Sequence, residues 1–195
     1  MQLLSQMESI GRQTIYDLQF SLSAELGEDY FGAATTFVAA EIDQITRKAK
    51  ILSVGDSRAY LIDAQGKWQQ ITQDHSILSE LLTDFPDKKE EDFATIYGGV
   101  FSCLVADYSE FQDKIFYQEI EIQQGESLLL CSDGLTDGLS AEVREKIWKQ
   151  YDNDKSRLTV CRKLITKQGF YDDLSVIVCR FLQNDEKNNR LKLFF

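Results

Sequence analysis

The strongest constraint in this chain is a run of short, apolar, β-branched segments separated by tight turns. Thr35 to Ile42, Lys50 to Val54, Ala59 to Ile62 and Trp68 to Ile71 follow one another with few residues between them. Such a run forms strands whose alternate side chains point to opposite faces. Connections this short favour antiparallel neighbours over a sheet built with crossover helices. Two later segments join the pattern. Phe116 to Ile122 alternates, while Ser127 to Cys131 is apolar at nearly every position, as a strand buried on both faces requires.

Helical signals lie around and between these strands. Leu3, Leu4, Met7, Ile10, Thr14, Ile15, Leu18 and Leu22 recur at three-to-four spacing, and Gly27 offers a stop. Ser76 to Phe85 reads as a short helix ended by Pro86, followed by a charged loop, Pro86 to Asp92. Ser140 is a natural N-cap for a helix through Trp148, and Leu158 to Gln168 reads as another, ending at Gly169. Leu174 to Phe181 is a last strand. The predicted class is α+β, with one domain over residues 1–182 and a polar C-terminal tail over 183–195 that has no evident place in the core.

Composition narrows function by exclusion. A net charge of −11, from 32 acidic and 21 basic side chains, opposes the basic field that nucleic-acid binding needs. No apolar run reaches membrane-spanning length, and the sequence shows no basic, apolar leader. Cys103, Cys131, Cys161 and Cys179 form no C-x-x-C pair, and His75 is the only histidine, which disfavours zinc. These features describe a cytoplasmic protein with free thiols, neither nucleic-acid-binding nor membrane-bound.

Acidic residues stand at strand ends. Asp56 follows Ser53-Val54-Gly55, Asp133 follows Leu130-Cys131-Ser132, and Asp172 with Asp173 precedes the strand from Leu174. Carboxylates converging from rigid strand ends form an oxygen-rich pocket for a hard cation such as Mg²⁺ or Mn²⁺. Asp beside Gly is equally the chemistry of tight turns, and Asp137, in a Gly-bounded loop, shares that ambiguity. His75, in Gln73-Asp74-His75-Ser76, reads first as part of a helix-start turn, and Arg12 and Arg58 as ion-pair partners.

Five stretches occur in a telling order: Ala33 to Ala40, Val54-Gly55-Asp56-Ser57-Arg58-Ala59-Tyr60-Leu61, Ile71 to Ser76, Leu129 to Asp137, and Asp172 to Val178. Together they resemble the metal-dependent protein phosphatases of type 2C (PPM-type), especially the compact bacterial members. The resemblance implies a PPM-type sandwich of two antiparallel β-sheets flanked by α-helices, with Mg²⁺ or Mn²⁺ at one end. It implies hydrolysis of phosphoserine and phosphothreonine in phosphorylated protein substrates by metal-activated water, without a phosphoenzyme. By position, Asp133 resembles the ligand shared by a core and an accessory metal, Asp172 a core ligand, Asp56 an accessory ligand, and Asp137 an accessory ligand of some members. Asp173 stands where the family usually has Asn.

The family also begins with strands bearing a Glu-Asp pair, a phosphate-gripping Arg and an Asp-Gly loop. Here Met1 opens almost directly onto the first helix, and no Asp-Gly-x-Gly-Gly occurs. The expectation for this chain is therefore an N-terminally shortened domain with weak metal affinity, little hydrolysis by itself, and a sheet edge open to another segment or partner. The alternative is a phosphatase-fold regulatory module without catalysis.

Overall fold

The computed structural model describes residues 9–94, 99–169, 172–180 and 190–194. Its elements, in order, are α1 (Arg12–Leu26), β1 (Ala34–Thr35), β2 (Phe37–Asp43), β3 (Lys48–Val54), β4 (Arg58–Ile62), β5 (Trp68–Gln70), α2 (Ile77–Asp84), β6 (Leu104–Val105), β7 (Phe116–Glu121), β8 (Ser127–Cys131), α3 (Asp133–Gly138), α4 (Ala141–Gln150), α5 (Asp154–Lys167), β9 (Val176–Arg180) and β10 (Arg190–Phe194). Two four-stranded antiparallel sheets, β10-β2-β3-β7 and β5-β4-β8-β9, carry the fold, with β1 and β6 as a small added pair.

The period of two explains the layering. In β8, Leu128 and Leu130 face the other sheet and pack with Val38, Ala40, Ile42, Ala49 and Ile51. Leu129 and Cys131 point the opposite way, onto Leu135, Leu139, Ile147, Trp148, Cys161 and Ile165 from α3, α4 and α5. On the outer face of the first sheet, Phe37, Ala39, Leu52 and Val54 cover Ile15 of α1. The result is helix, sheet, sheet, helix, as predicted. A fully buried Leu contributes about 1.5–3 kcal/mol, so β8, buried at all five positions, anchors both layers.

Capping follows the sequence closely. The Ser76 and Ser140 side chains accept the Ser79 and Val143 amides, and Gly27 ends α1. Asn153 starts the last helix earlier than apolar spacing indicated. Leu3, Leu4 and Met7 lie outside the described residues, as does Phe181. Two expectations are corrected. The 183–195 segment is not simply a polar tail, because Arg190–Phe194 pairs with β2 and brings Leu191 and Leu193 against the inter-sheet core. Asp137 is not in a loop; it lies in the short helix α3. All four thiols are free, with Cys131 and Cys161 buried. Among the described residues no helix is long and apolar enough to cross a membrane.

Candidate metal centre

Strand register brings the acidic strand ends together. Arg58 at the start of β4 pairs with Cys131 at the end of β8, which pairs in turn with Val176 at the start of β9. Asp56, Asp133 and Asp172 each lie a few residues beyond these positions. Backbone pairing therefore places all three at one end of one sheet, however distant they are in sequence.

Each carboxylate is fixed by its own local device. The turn before Asp56 runs through Gly55 at φ 103°, a left-handed conformation that strains any other residue. A Cβ there would also fall 2.4 Å from Thr36 Cγ2. On the other side of Asp56, the Ser57 and Thr36 hydroxyls share a hydrogen bond of 2.8 Å. Asp133 and Asp172 are joined through Ser132. Its hydroxyl donates to the Asp173 carbonyl at 2.9 Å and accepts the Ser175 amide at 3.2 Å, while its own amide donates to the Ser175 carbonyl. Gly134 allows this approach, since a Cβ would sit 2.5 Å from the Asp173 carbonyl oxygen. Asp172 Oδ1 accepts the Asp173 amide at 2.8 Å. One helical turn after Asp133, Asp137 lies on the same side of α3.

A cavity of about 510 Å³ opens here, lined by Asp56, Asp133, Asp137, Asp74, Glu90 and Arg58, with Leu78 and Leu82 of α2 on one wall. Asp172 is exposed beside this cavity and is not part of its lining. Arg58 is committed to Asp74, its Nε lying 2.9 and 3.0 Å from the two carboxylate oxygens, so the ion-pair reading of Arg58 holds. Burial works against the Arg58 charge, and the bond to Asp74 more than offsets it. Arg12 Nη1 donates to the Ile115 carbonyl at 2.7 Å. His75 is buried, and its Nδ1 accepts the Gly55 amide at 3.0 Å. Burial also holds its pKa below the ordinary imidazole value, against the pull of Asp74.

The electrostatics record crowding. The Asp56 carboxyl is pushed up from 3.8 to about 6, first by burial and then by the negative charge of Asp133. Asp133 is itself raised, first by burial and then by Asp172 and Asp137. Partly buried carboxylates whose pKa values are raised by burial and by neighbouring carboxylates are the chemistry a hard divalent cation relieves. The donor set is all oxygen, which suits Mg²⁺ or Mn²⁺ and excludes a thiolate or imidazole zinc site. Among the described residues, no three His, Cys, Asp or Glu side chains are grouped closely enough to form a ready ligand set. The residues thus fit a hard cation in kind and supply few protein ligands at any one point, so water must complete the coordination.

Reasoning from sequence passed over Ser132, which ties Asp133 to the Asp172 turn, and Asp74, which holds Arg58. Serine at a strand end carries no distinguishing signal. The Asp133-Gly134 pair did carry one, because a glycine inside a helix start often marks close backbone approach.

Comparison with known proteins places this geometry. The profile of the Protein phosphatase 2C family matches residues 4–166. The serine/threonine phosphatase stp of Listeria monocytogenes is 31% identical over 181 residues, which cover 89% of this chain and 68% of that protein. A crystal structure of a bacterial serine phosphatase aligns with a TM-score of 0.73 at 25% identity, over 89% of this chain and 69% of that one. The catalytic domain of the serine/threonine protein phosphatase PstP, solved in complex with two manganese ions, shares the fold with a TM-score of 0.68 at 22% identity, over 90% of this chain and 76% of that one. Strand-end carboxylates in this register, on this sandwich and with this sequence match, leave one assignment: the chain belongs to the protein phosphatase 2C family of serine/threonine phosphatases.

Proposed function

We propose that this chain hydrolyses phosphoserine and phosphothreonine esters of cytoplasmic proteins in the cavity at the Asp56–Asp133 end of the sandwich, with Mg²⁺ or Mn²⁺ as cofactor. The observation that carries the reading is the convergence of Asp56, Asp133 and Asp137 on one cavity at the strand ends, where burial and the neighbouring carboxylates raise the pKa of both Asp56 and Asp133. A divalent cation bound there supplies positive charge for the phosphoryl oxygens and acidifies water.

The chain's own residues do the rest. Asp133 and Asp172, tied together through Ser132, would hold one cation, and Asp56 and Asp137 would extend the site along the cavity. Leu78 and Leu82 offer an apolar wall for the substrate chain beside the phosphoester. Arg58, neutralised by Asp74, shapes the floor rather than gripping phosphate. The β9 strand, half-buried along its length at one sheet edge among the described residues, supports the expectation that a further segment or partner covers it.

A second reading, a phosphatase-fold regulatory module, is favoured by one observation: the absence of a three-ligand group among the described residues. One experiment separates the two. Phosphate release from a phosphothreonine peptide is followed while Mn²⁺ is raised into the millimolar range. Slow turnover that requires millimolar Mn²⁺ and disappears in Asp133→Asn is the expected result. Manganese binding without turnover at any concentration supports the regulatory module.

A further inference from the structure

Asp56 is held from outside its own hairpin. The Gly55 amide donates to His75 Nδ1 at 3.0 Å, and the His75 amide donates to the Gly55 carbonyl at 3.0 Å. These two bonds grip the peptide units on both sides of Gly55, and the second of those units contains the Asp56 nitrogen. Movement the other way is blocked, because Thr36 packs directly against Gly55.

The clamp is anchored in turn. The His75 carbonyl accepts the Phe101 amide at 3.0 Å, and Ser76 bridges to Val100. The Ser76 hydroxyl caps α2, the helix that supplies Leu78 and Leu82 to the cavity. On the near side, Asp74 holds Arg58, and the Thr72 hydroxyl accepts the Ala59 amide at 3.1 Å. One short segment, 72–76, therefore fixes residues on both sides of Asp56. Only the imidazole bond is made by a buried side chain reaching the residue immediately before that carboxylate; His75 is 7% exposed. Accepting an amide proton at Nδ1 also fixes the ring tautomer, with hydrogen on Nε2.

We infer that His75 is the positioning residue of Asp56: its Nδ1 sets where the exit of β3 presents that carboxylate to the cavity shared with Asp133. The structural half of this inference rests on hydrogen-bond geometry alone. Its functional half rests on the proposed reading of Asp56 as a metal ligand.

The geometry dictates the test. An Asn side chain places its carbonyl oxygen near the Nδ1 position, a Gln side chain carries the same group one carbon too far, and Leu fills the space without an acceptor. In the full chain, His75→Asn, His75→Gln and His75→Leu are compared by amide hydrogen exchange at Gly55 relative to Leu129 in the core, and by Mn²⁺ titration calorimetry well below the melting temperature. Loss of stability alone lowers the melting temperature and leaves metal affinity under those conditions unchanged. The Gln and Leu variants are expected to lose about tenfold in Gly55 protection and about tenfold in Mn²⁺ affinity, the equivalent of one hydrogen bond, while Asn stays within about threefold of the parent. If Leu fails to fold, the contrast between Asn and Gln decides. Unchanged Gly55 protection in Gln, or an Asn variant as impaired as Gln, overturns the clamp. Parent protein that binds no Mn²⁺ while Gly55 responds as expected upholds the clamp and removes the metal reading. Equal Mn²⁺ affinity in parent and Gln removes the functional half and leaves the metal reading standing.

Discussion

Replacing Asp56 by Asn removes a charge and keeps the shape, so it isolates what holding that charge in the cavity costs the metal-free fold. The carboxyl is pushed from 3.8 to about 6, chiefly by burial and then by Asp133. A value raised in the folded state favours folding at low pH. That advantage is fully present below about 3.8 and is lost as the pH rises through about 6. Two pH units correspond to about 3 kcal/mol, and the partial solvent contact of the side chain reduces this to about 1–1.5 kcal/mol. In chelator-treated protein near pH 8, Asp56→Asn is therefore expected to be more stable than the parent by about 1–1.5 kcal/mol, and by about half as much near pH 5. Urea unfolding followed by tryptophan fluorescence reads this directly, because Trp148 is buried and Trp68 packs against the same cluster. Millimolar Mn²⁺ should narrow the gap, since the parent then gains a bound ion that the variant holds less well. A variant equally stable or less stable near pH 8, or a gain independent of pH, would show that the Asp56 charge is not held at a cost by burial and by Asp133.

Two other substitutions test the scaffold. Gly134→Ala puts a Cβ where the Asp173 carbonyl lies 2.5 Å away, so the Asp172 turn must retreat from Asp133; Mn²⁺ affinity by calorimetry should fall at least about tenfold. Leu130→Ala opens a void between the sheets, far from the carboxylates in chemistry but central in packing; it should cost about 2–5 kcal/mol in urea unfolding and leave Mn²⁺ affinity near that of the parent.

The layers were legible because periodicity of two and of three-to-four is written along the chain. The all-apolar β8 signalled burial on both faces, and Ser76 and Ser140 signalled helix starts. The short helix α3 was not legible. Two glycines in Asp133–Gly138 give poor helix propensity, and the helix forms because both are needed bare. Gly134 meets the Asp173 carbonyl, and a Cβ on Gly138 would stand 2.8 Å from Ile165 Cγ1. Strand β10 was hidden for another reason. Leu191 and Leu193 do alternate with polar neighbours, but the run is brief, follows a polar stretch, and pairs with β2 from far away in sequence. At the site, the acidic strand ends could be picked out from residue type and position, whereas their meeting depended on the register of β4, β8 and β9. The Ser132 and His75 contacts depended on side-chain geometry that no spacing rule encodes.

Anomalous diffraction at the manganese edge, from crystals grown in Mn²⁺, shows whether these carboxylates meet around a divalent ion. A manganese peak is expected within bonding distance of the Asp133 and Asp172 carboxylates, with any second peak on the Asp56 side of the same cavity. Manganese bound elsewhere, or a cavity holding no ion in saturating Mn²⁺, would contradict that reading.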